Sequence, residues 1–109
     1  MNWESIYRRH ITDPDDALSY IQSGNRVYLA GGAGVPKTLI DGLTRRAPEL
    51  HDVELTHILT FAEAPYVEEQ YQDSFRVNAL FIGSNVRQAV QTGRADFTPI
   101  FLSEIPGLF

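Results

Sequence analysis

Short apolar runs in this chain recur at intervals of roughly 22–27 residues, with helix-patterned stretches between them. A crossover of that length lets each new strand run parallel to the one before it. The expected fold is therefore α/β: a mostly parallel sheet with helices on both faces. Strands are expected over residues 26–30, 53–59, 76–82 and 97–102. The last is nearly all apolar, as a strand buried on both faces should be.

The helices carry readable ends. Residues 3–9 form a short one. Asp13 reads as an N-cap, with Pro14 at the first helical position and Asp15 and Asp16 in the first turn. Ala17, Leu18 and Ile21 would face the core before Gly24 stops that helix. Pro36 opens the next, with Leu39, Ile40 and Leu43 on one face and an end near Ala47-Pro48. Residues 61–65 read as loop and 66–72 as helical. Ser84 reads as the cap of a helix through Gln91, closed by Gly93, and Ser103-Glu104-Ile105 opens a further element.

With 109 residues the chain is long enough for one small domain with a real core. It has no cysteine, which excludes disulfides, thiolate metal sites and a cysteine nucleophile. The net charge is −5 and no basic stripe exists, so nucleic acid is not an expected partner. Arg8-Arg9 and Arg45-Arg46 read as solvated helix ends. His10, His51 and His57 lack paired metal-ligand spacing, and His57 reads as a satisfied core histidine. No apolar run is long enough to span a membrane, and Met1-Asn2-Trp3-Glu4 is no secretion signal, so the expected location is cytoplasmic. Each large apolar side chain left in water forgoes roughly 1.5–3 kcal/mol of burial. The ending Gly107-Leu108-Phe109 therefore suggests the N-terminal piece of a larger protein, or a tail that packs back on the sheet or into a dimer.

The first apolar run, Arg26-Val27-Tyr28-Leu29-Ala30, stops at Gly31-Gly32-Ala33-Gly34-Val35-Pro36. Strand, glycine turn and helix start is an order suited to a phosphate or an oxyanion, because the backbone approaches closely and first-turn N–H groups point at negative charge. A dinucleotide fingerprint fits only in part: Lys37 stands where its third glycine belongs, and the second strand runs into Thr60-Phe61 without the expected acid. A Walker-type loop fits from Gly31 to Lys37-Thr38 except that Pro36 removes one cradle N–H, and no aspartate follows a second strand to hold magnesium. A plain connecting turn is the third reading, although one glycine would suffice for it.

Longer stretches bear on this choice. Gly31 through Lys37 followed by Leu39-Ile40-Asp41-Gly42-Leu43 resembles the N-terminal part of the acetyl-CoA hydrolase/transferase family, which includes acetate and 4-hydroxybutyrate CoA-transferases. Trp3 with Tyr7, residues 17–27, Val53-Glu54-Leu55-Thr56-His57 and Phe81 through Val90 resemble it too. Gly93-Arg94-Ala95-Asp96-Phe97-Thr98-Pro99-Ile100-Phe101-Leu102-Ser103-Glu104-Ile105-Pro106 is the most specific stretch.

The resemblance implies a sheet shared with ribose-phosphate isomerase and glucosamine-phosphate deaminase. It implies ping-pong transfer of CoA between an acyl-CoA and a small carboxylate, through a glutamyl-CoA thioester, or hydrolysis where water ends the sequence. Coenzyme A is then a substrate and no cofactor is held permanently. The nucleophilic glutamate is expected beyond Phe109, so no catalytic residue is assigned in this chain, residues 1–109 being the N-terminal part of the domain. Gly31, Gly32, Ala33, Gly34, Val35 and Pro36 carry over as one wall of the acyl-CoA site, and Gly83, Ser84, Asn85 and Arg87 as the other, near the substrate carboxylate. Glu63 departs from the family's small residue there and reads as a solvated loop acid. Homodimers are common in the family and expected here. The rival readings are a stand-alone nucleotide- or anion-binding module and a structural subunit that joins a second chain.

Overall fold

The computed structural model describes all 109 residues. Its elements in chain order are α1 (Trp3–His10), α2 (Pro14–Leu18), β1 (Arg26–Tyr28), α3 (Lys37–Arg45), β2 (Val53–His57), β3 (Phe75–Ala79), α4 (Ser84–Gln91) and β4 (Ala95–Phe97), with short 3-10 turns between them. The four strands lie in the order β1-β2-β3-β4 and every pair is parallel, as the spacing requires.

That order fixes where the helices go. Each crossover steps the same way across the sheet, and right-handed crossovers that step one way stack their helices on one face. Ile40 and Leu43 of α3, Val86 and Ala89 of α4 and Tyr66 form one core with Val53, Leu55, Phe75, Val77, Ala79 and Ala95 of the strands. The alternate strand residues Arg26, Tyr28, Glu54, Arg76, Asn78 and Asp96 face the other way. A 3-10 helix, Leu102–Leu108, serves that second face. It brings Leu108 and Phe109 beside Arg26, Tyr28, Glu54, Thr56 and Asn78, with the Phe109 ring edge-on to Tyr28 at 5.3 Å. Helical cover on both faces is thus present but unequal, with residues 102–109 lying against the second face. On this face Arg76 grips Asp96 through two hydrogen bonds of 2.7 and 2.6 Å, which holds the Asp96 carboxyl below its usual range.

Local chemistry sets the element ends. Asp13 caps α2 by accepting the Asp16 N–H at 2.8 Å, with Pro14 first in the helix. Replacing Asp13 with alanine should destabilise the chain by about 1 kcal/mol, a fall in Tm of about 4 °C in a thermal melt. The helix ends at Leu18 rather than at Gly24, so Ala17 is exposed and Ile21 only half-buried. Arg46 explains the early stop. It is no solvated helix end: its guanidinium donates to the Leu18 carbonyl at the end of α2 and to the Ile21 carbonyl just beyond it, the latter at 3.0 Å. Arg8, Arg9 and Arg45 do lie in solvent, Arg45 paired with Asp15.

The fourth strand differs most from expectation. It covers Ala95–Phe97 only, not residues 97–102, and Asp96 and Phe97 are exposed. The Thr98 N–H still reaches the Ala79 carbonyl at 3.0 Å. Pro99 then offers no N–H, and the ladder stops. Phe101 and Leu102 consequently lie exposed beside the sheet instead of within it. Residues 66–72, expected as helix, are two 3-10 turns, Pro65–Val67 and Glu69–Tyr71. The apolar face of α3 is Ile40 and Leu43, with Leu39 turned to solvent.

Candidate functional site

Past the end of β1 the chain stays bonded to β2 and then turns away. The Leu29 N–H donates to Thr56, the Gly32 N–H to the Leu59 carbonyl at 2.6 Å, and Phe61 returns an N–H to the Gly32 carbonyl at 3.3 Å. This makes a single parallel bridge between Gly32 and Thr60. A Cβ on Gly31 would sit 2.4 Å from the Leu59 carbonyl oxygen, and Gly32 has φ +61°. Both positions therefore exclude ordinary side chains for reasons internal to the fold. Gly34 does not: a Cβ there meets nothing closer than 3.5 Å. The Gly34 N–H closes the turn on the Gly31 carbonyl at 3.2 Å. The N–H groups of Gly31, Ala33 and Val35 have no acceptor within the chain, and Pro36 is the N-cap of α3 rather than its first residue.

A second bend follows β3. Leu80 and Phe81 donate to His57 and Ile58, which keeps this segment beside the end of β2. Gly83, not Ser84, is the N-cap of α4, and no side chain caps it. Ser84 is instead the first helical residue, because the Val86 and Arg87 N–H groups both fold back onto the Gly83 carbonyl. The N–H groups of Ser84 and Asn85 have no acceptor in the protein. The Asn85 amide donates sideways, to the Thr60 carbonyl at 3.2 Å and the Ala62 carbonyl at 2.7 Å. Its Oδ1 is shut off from solvent without a partner, at a cost of about 1–3 kcal/mol.

The two bends therefore lie at the same end of the sheet, the carboxyl ends of the strands where ligands of α/β sheets bind. They flank a common centre, the loop 59–62. Leu59, Thr60, Phe61, Ala62, Gly83, Ser84 and Asn85 line a cleft of about 310 Å³. The glycine turn borders this loop from its far side and does not line that cleft. Arg87 is exposed, unpaired and one turn beyond it, and Glu63 is exposed and unpaired past the loop. A second, apolar cleft of about 340 Å³ opens across the 80–83 segment, between Leu80, Phe81, Phe97, Pro99, Ile100 and Phe101. Sequence reasoning missed Thr60, Phe61 and Ala62, which have no motif. The one signal was positional: β2 lies between the two bends, so its loop must stand between them.

Beneath the loop lies His57, the last residue of β2, 1% exposed. It belongs to the core as expected but is not satisfied: neither ring nitrogen reaches a hydrogen-bond partner. Burial holds its pKa below the usual 6.5, and the nearby Ile58 backbone offsets this only in part. Tyr66 packs edge-on against it at 6.3 Å, and burial pushes the phenol up to about 12, so both rings are neutral near pH 7. No three histidine or carboxylate side chains converge to hold a metal ion, and no helix is long and apolar enough to cross a membrane.

Comparison with known proteins adds a family to this geometry. Residues 1–109 match the family model for the acetyl-CoA hydrolase/transferase N-terminal domain. The chain is 38% identical over 109 residues to the 4-hydroxybutyrate coenzyme A transferase of Clostridium kluyveri, covering 100% of this chain and 25% of that one. It is 44% identical over 97 residues to the succinyl-CoA:acetate/propanoyl-CoA:succinate CoA transferase of Fasciola hepatica, covering 87% and 20% respectively. The crystal structure of RipA from Yersinia pestis shares the fold over the whole chain, with a TM-score of 0.82 at 20% identity and 28% of that chain covered. The chain thus spans a fifth to a quarter of the length of these relatives.

Proposed function

Because the chain belongs to the acetyl-CoA hydrolase/transferase family, we propose that the protein moves coenzyme A between an acyl-CoA and a small carboxylate. The match of residues 1–109 to the family's N-terminal domain is the observation that carries this reading. These residues then form the N-terminal part of the catalytic domain, and the nucleophilic glutamate comes from outside them.

The chemistry asks this part of the protein for donors and shape. Attack of a carboxylate on a thioester places negative charge on the former carbonyl oxygen, and preorganised N–H groups stabilise that charge without reorganisation. The unengaged N–H groups of Ser84 and Asn85 supply them in the cleft, and those of Gly31, Ala33 and Val35 stand across the 59–62 loop. The start of α4 favours an anion there by roughly 0.3–1 kcal/mol, which suits the substrate carboxylate. Gly83 to Asn85 and the 59–62 loop wall the cleft, Gly31 to Pro36 forms a second wall on the far side of that loop for the rest of the acyl-CoA, and Arg87 adds long-range positive charge at the rim. A glutamyl-CoA thioester splits the exchange into two steps, and each acid takes its turn in the same cleft. Coenzyme A enters and leaves as substrate. The named substrates of the relatives make acetate, propanoate, succinate and 4-hydroxybutyrate the acids to try first. A cytoplasmic homodimer goes with this reading.

The test is product analysis on the protein as its gene encodes it, given acetyl-CoA with propanoate, succinate or 4-hydroxybutyrate in turn, and succinyl-CoA with acetate. A new acyl-CoA ester without free thiol identifies a transferase. Free CoA in step with acetate identifies a hydrolase. No turnover, with tight magnesium-dependent ATP binding instead, would replace this proposal with a nucleotide-binding module. The 109 residues alone should turn nothing over.

A further inference from the structure

We infer that the Asn85 side chain acts in positioning, setting the width of the cleft by pinning the 59–62 loop, and does not itself touch substrate. The inference rests on the CoA-transfer reading only for what the cleft holds.

Both N–H groups of the Asn85 amide are already engaged, one on the Thr60 carbonyl at 3.2 Å and one on the Ala62 carbonyl at 2.7 Å. Carbonyl oxygens only accept, so these partners fix which end of the amide is nitrogen. The side chain has no donor left for a ligand, and its Oδ1 is sealed from solvent. The loop it holds is otherwise tied from the opposite side only, where Gly32 and Leu59 and then Phe61 and Gly32 exchange backbone hydrogen bonds. Thr60 Oγ1 accepts the Ala62 N–H at 3.3 Å, which shapes the turn but binds it to nothing else. Asn85 is thus the link from this loop to the start of α4, and it carries the unengaged Ser84 and Asn85 N–H groups at a fixed distance from Phe61. Gly83 supports the same arrangement. A Cβ there would lie 2.9 Å from Asn85 Oδ1 and 3.2 Å from Leu59 Cδ1, so the missing side chain at position 83 leaves room for the Asn85 amide.

The experiment compares Asn85→Asp, Asn85→Ala and Gly83→Ala with the parent protein, as its gene encodes it. Two readouts are taken: backbone hydrogen exchange over residues 59–63 against residues 75–79, and kcat and KM for acyl-CoA and carboxylate. Aspartate has the shape of asparagine but turns a carboxylate oxygen towards the two carbonyls. A donor role makes Asn85→Asp at least as damaging as Asn85→Ala, whereas a packing role leaves the isosteric aspartate close to the parent. Expected are about tenfold faster exchange over 59–63 in both Asn85 variants, a smaller rise in Gly83→Ala, and little change over 75–79. In turnover, kcat should fall about a hundredfold with KM within about threefold, since misplaced donors are felt chiefly in the transition state. Unchanged exchange over 59–63, or loss confined to Asn85→Ala, would overturn the inference. The expected exchange pattern in a protein without CoA transfer would uphold Asn85 and remove the functional reading instead.

Discussion

Replacing Gly31 with alanine is expected to lower Tm by about 10 °C, whereas Gly34→Ala leaves it nearly unmoved. At Gly31 the added Cβ would stand 2.4 Å from the Leu59 carbonyl oxygen, an atom of the backbone that no rotamer change can move aside. Relief means pulling the turn from β2, which breaks the 2.6 Å hydrogen bond from Gly32 to Leu59 and the return bond from Phe61. Overpacking of this kind costs about 2–3 kcal/mol. At Gly34 the same methyl group meets only the Gly31 carbonyl at 3.5 Å, an ordinary contact, in a backbone conformation open to any residue. Removing glycine there even takes entropy from the unfolded chain. Function should invert this order of tolerance. Gly34→Val keeps the fold but narrows the approach to the Ala33 and Val35 N–H groups, and should cut kcat/KM for acyl-CoA by about tenfold or more. Thermal melts and initial rates on the variants decide the matter. Equal melting temperatures for Gly31→Ala and Gly34→Ala would remove the packing argument. Full activity in Gly34→Val would remove that residue from the site.

The glycine run was therefore legible as a special turn, but its glycines answer to different demands. Gly31 and Gly32 serve the chain's own seam against Leu59 and Thr60. Only Gly34 has no internal reason to lack a side chain. Local rules work where one neighbour decides: Asp13 with Asp16, Pro14 at a helix start, Gly93 with φ +77° at a helix end. Spacing alone gave the parallel pairing, since the connection lengths leave few other choices.

Misread elements depended on partners distant in sequence. Thr98-Pro99-Ile100-Phe101-Leu102 has a strand's composition, yet one proline ends its ladder and no further strand lies outside it. Arg46 looked like half of a surface doublet because the carbonyls it serves belong to Leu18 and Ile21, well upstream. The site shows the same division. Its two bends carry glycines and a helix start, which are local marks. The loop between them carries Thr60, Phe61 and Ala62, which gain meaning only from the position of β2 between β1 and β3.

Stability should fall with acidification below about pH 6.5, and His57→Leu should both raise it and flatten that fall. A group whose native pKa is depressed binds its proton more readily in the unfolded chain. His57 is such a group, 1% exposed and held below 6.5 by burial. Its native environment is in full effect above the unfolded value. The stability it permits is lost as pH drops through 6.5 towards the native value, at up to about 1.4 kcal/mol per pH unit. At neutral pH the ring still buries two nitrogens with no partner, each costing on the order of 1–3 kcal/mol less whatever the unfolded chain already forgoes. Leucine fills a similar volume among Leu55, Ala79 and the Tyr66 ring without polar atoms. It should gain about 1–2 kcal/mol at pH 7.5 and more at pH 5.5, read from urea unfolding at both values. A His57→Leu variant with the parent's pH slope would show that other groups govern acid unfolding. One less stable than the parent at pH 5.5 would show that the imidazole is satisfied after all.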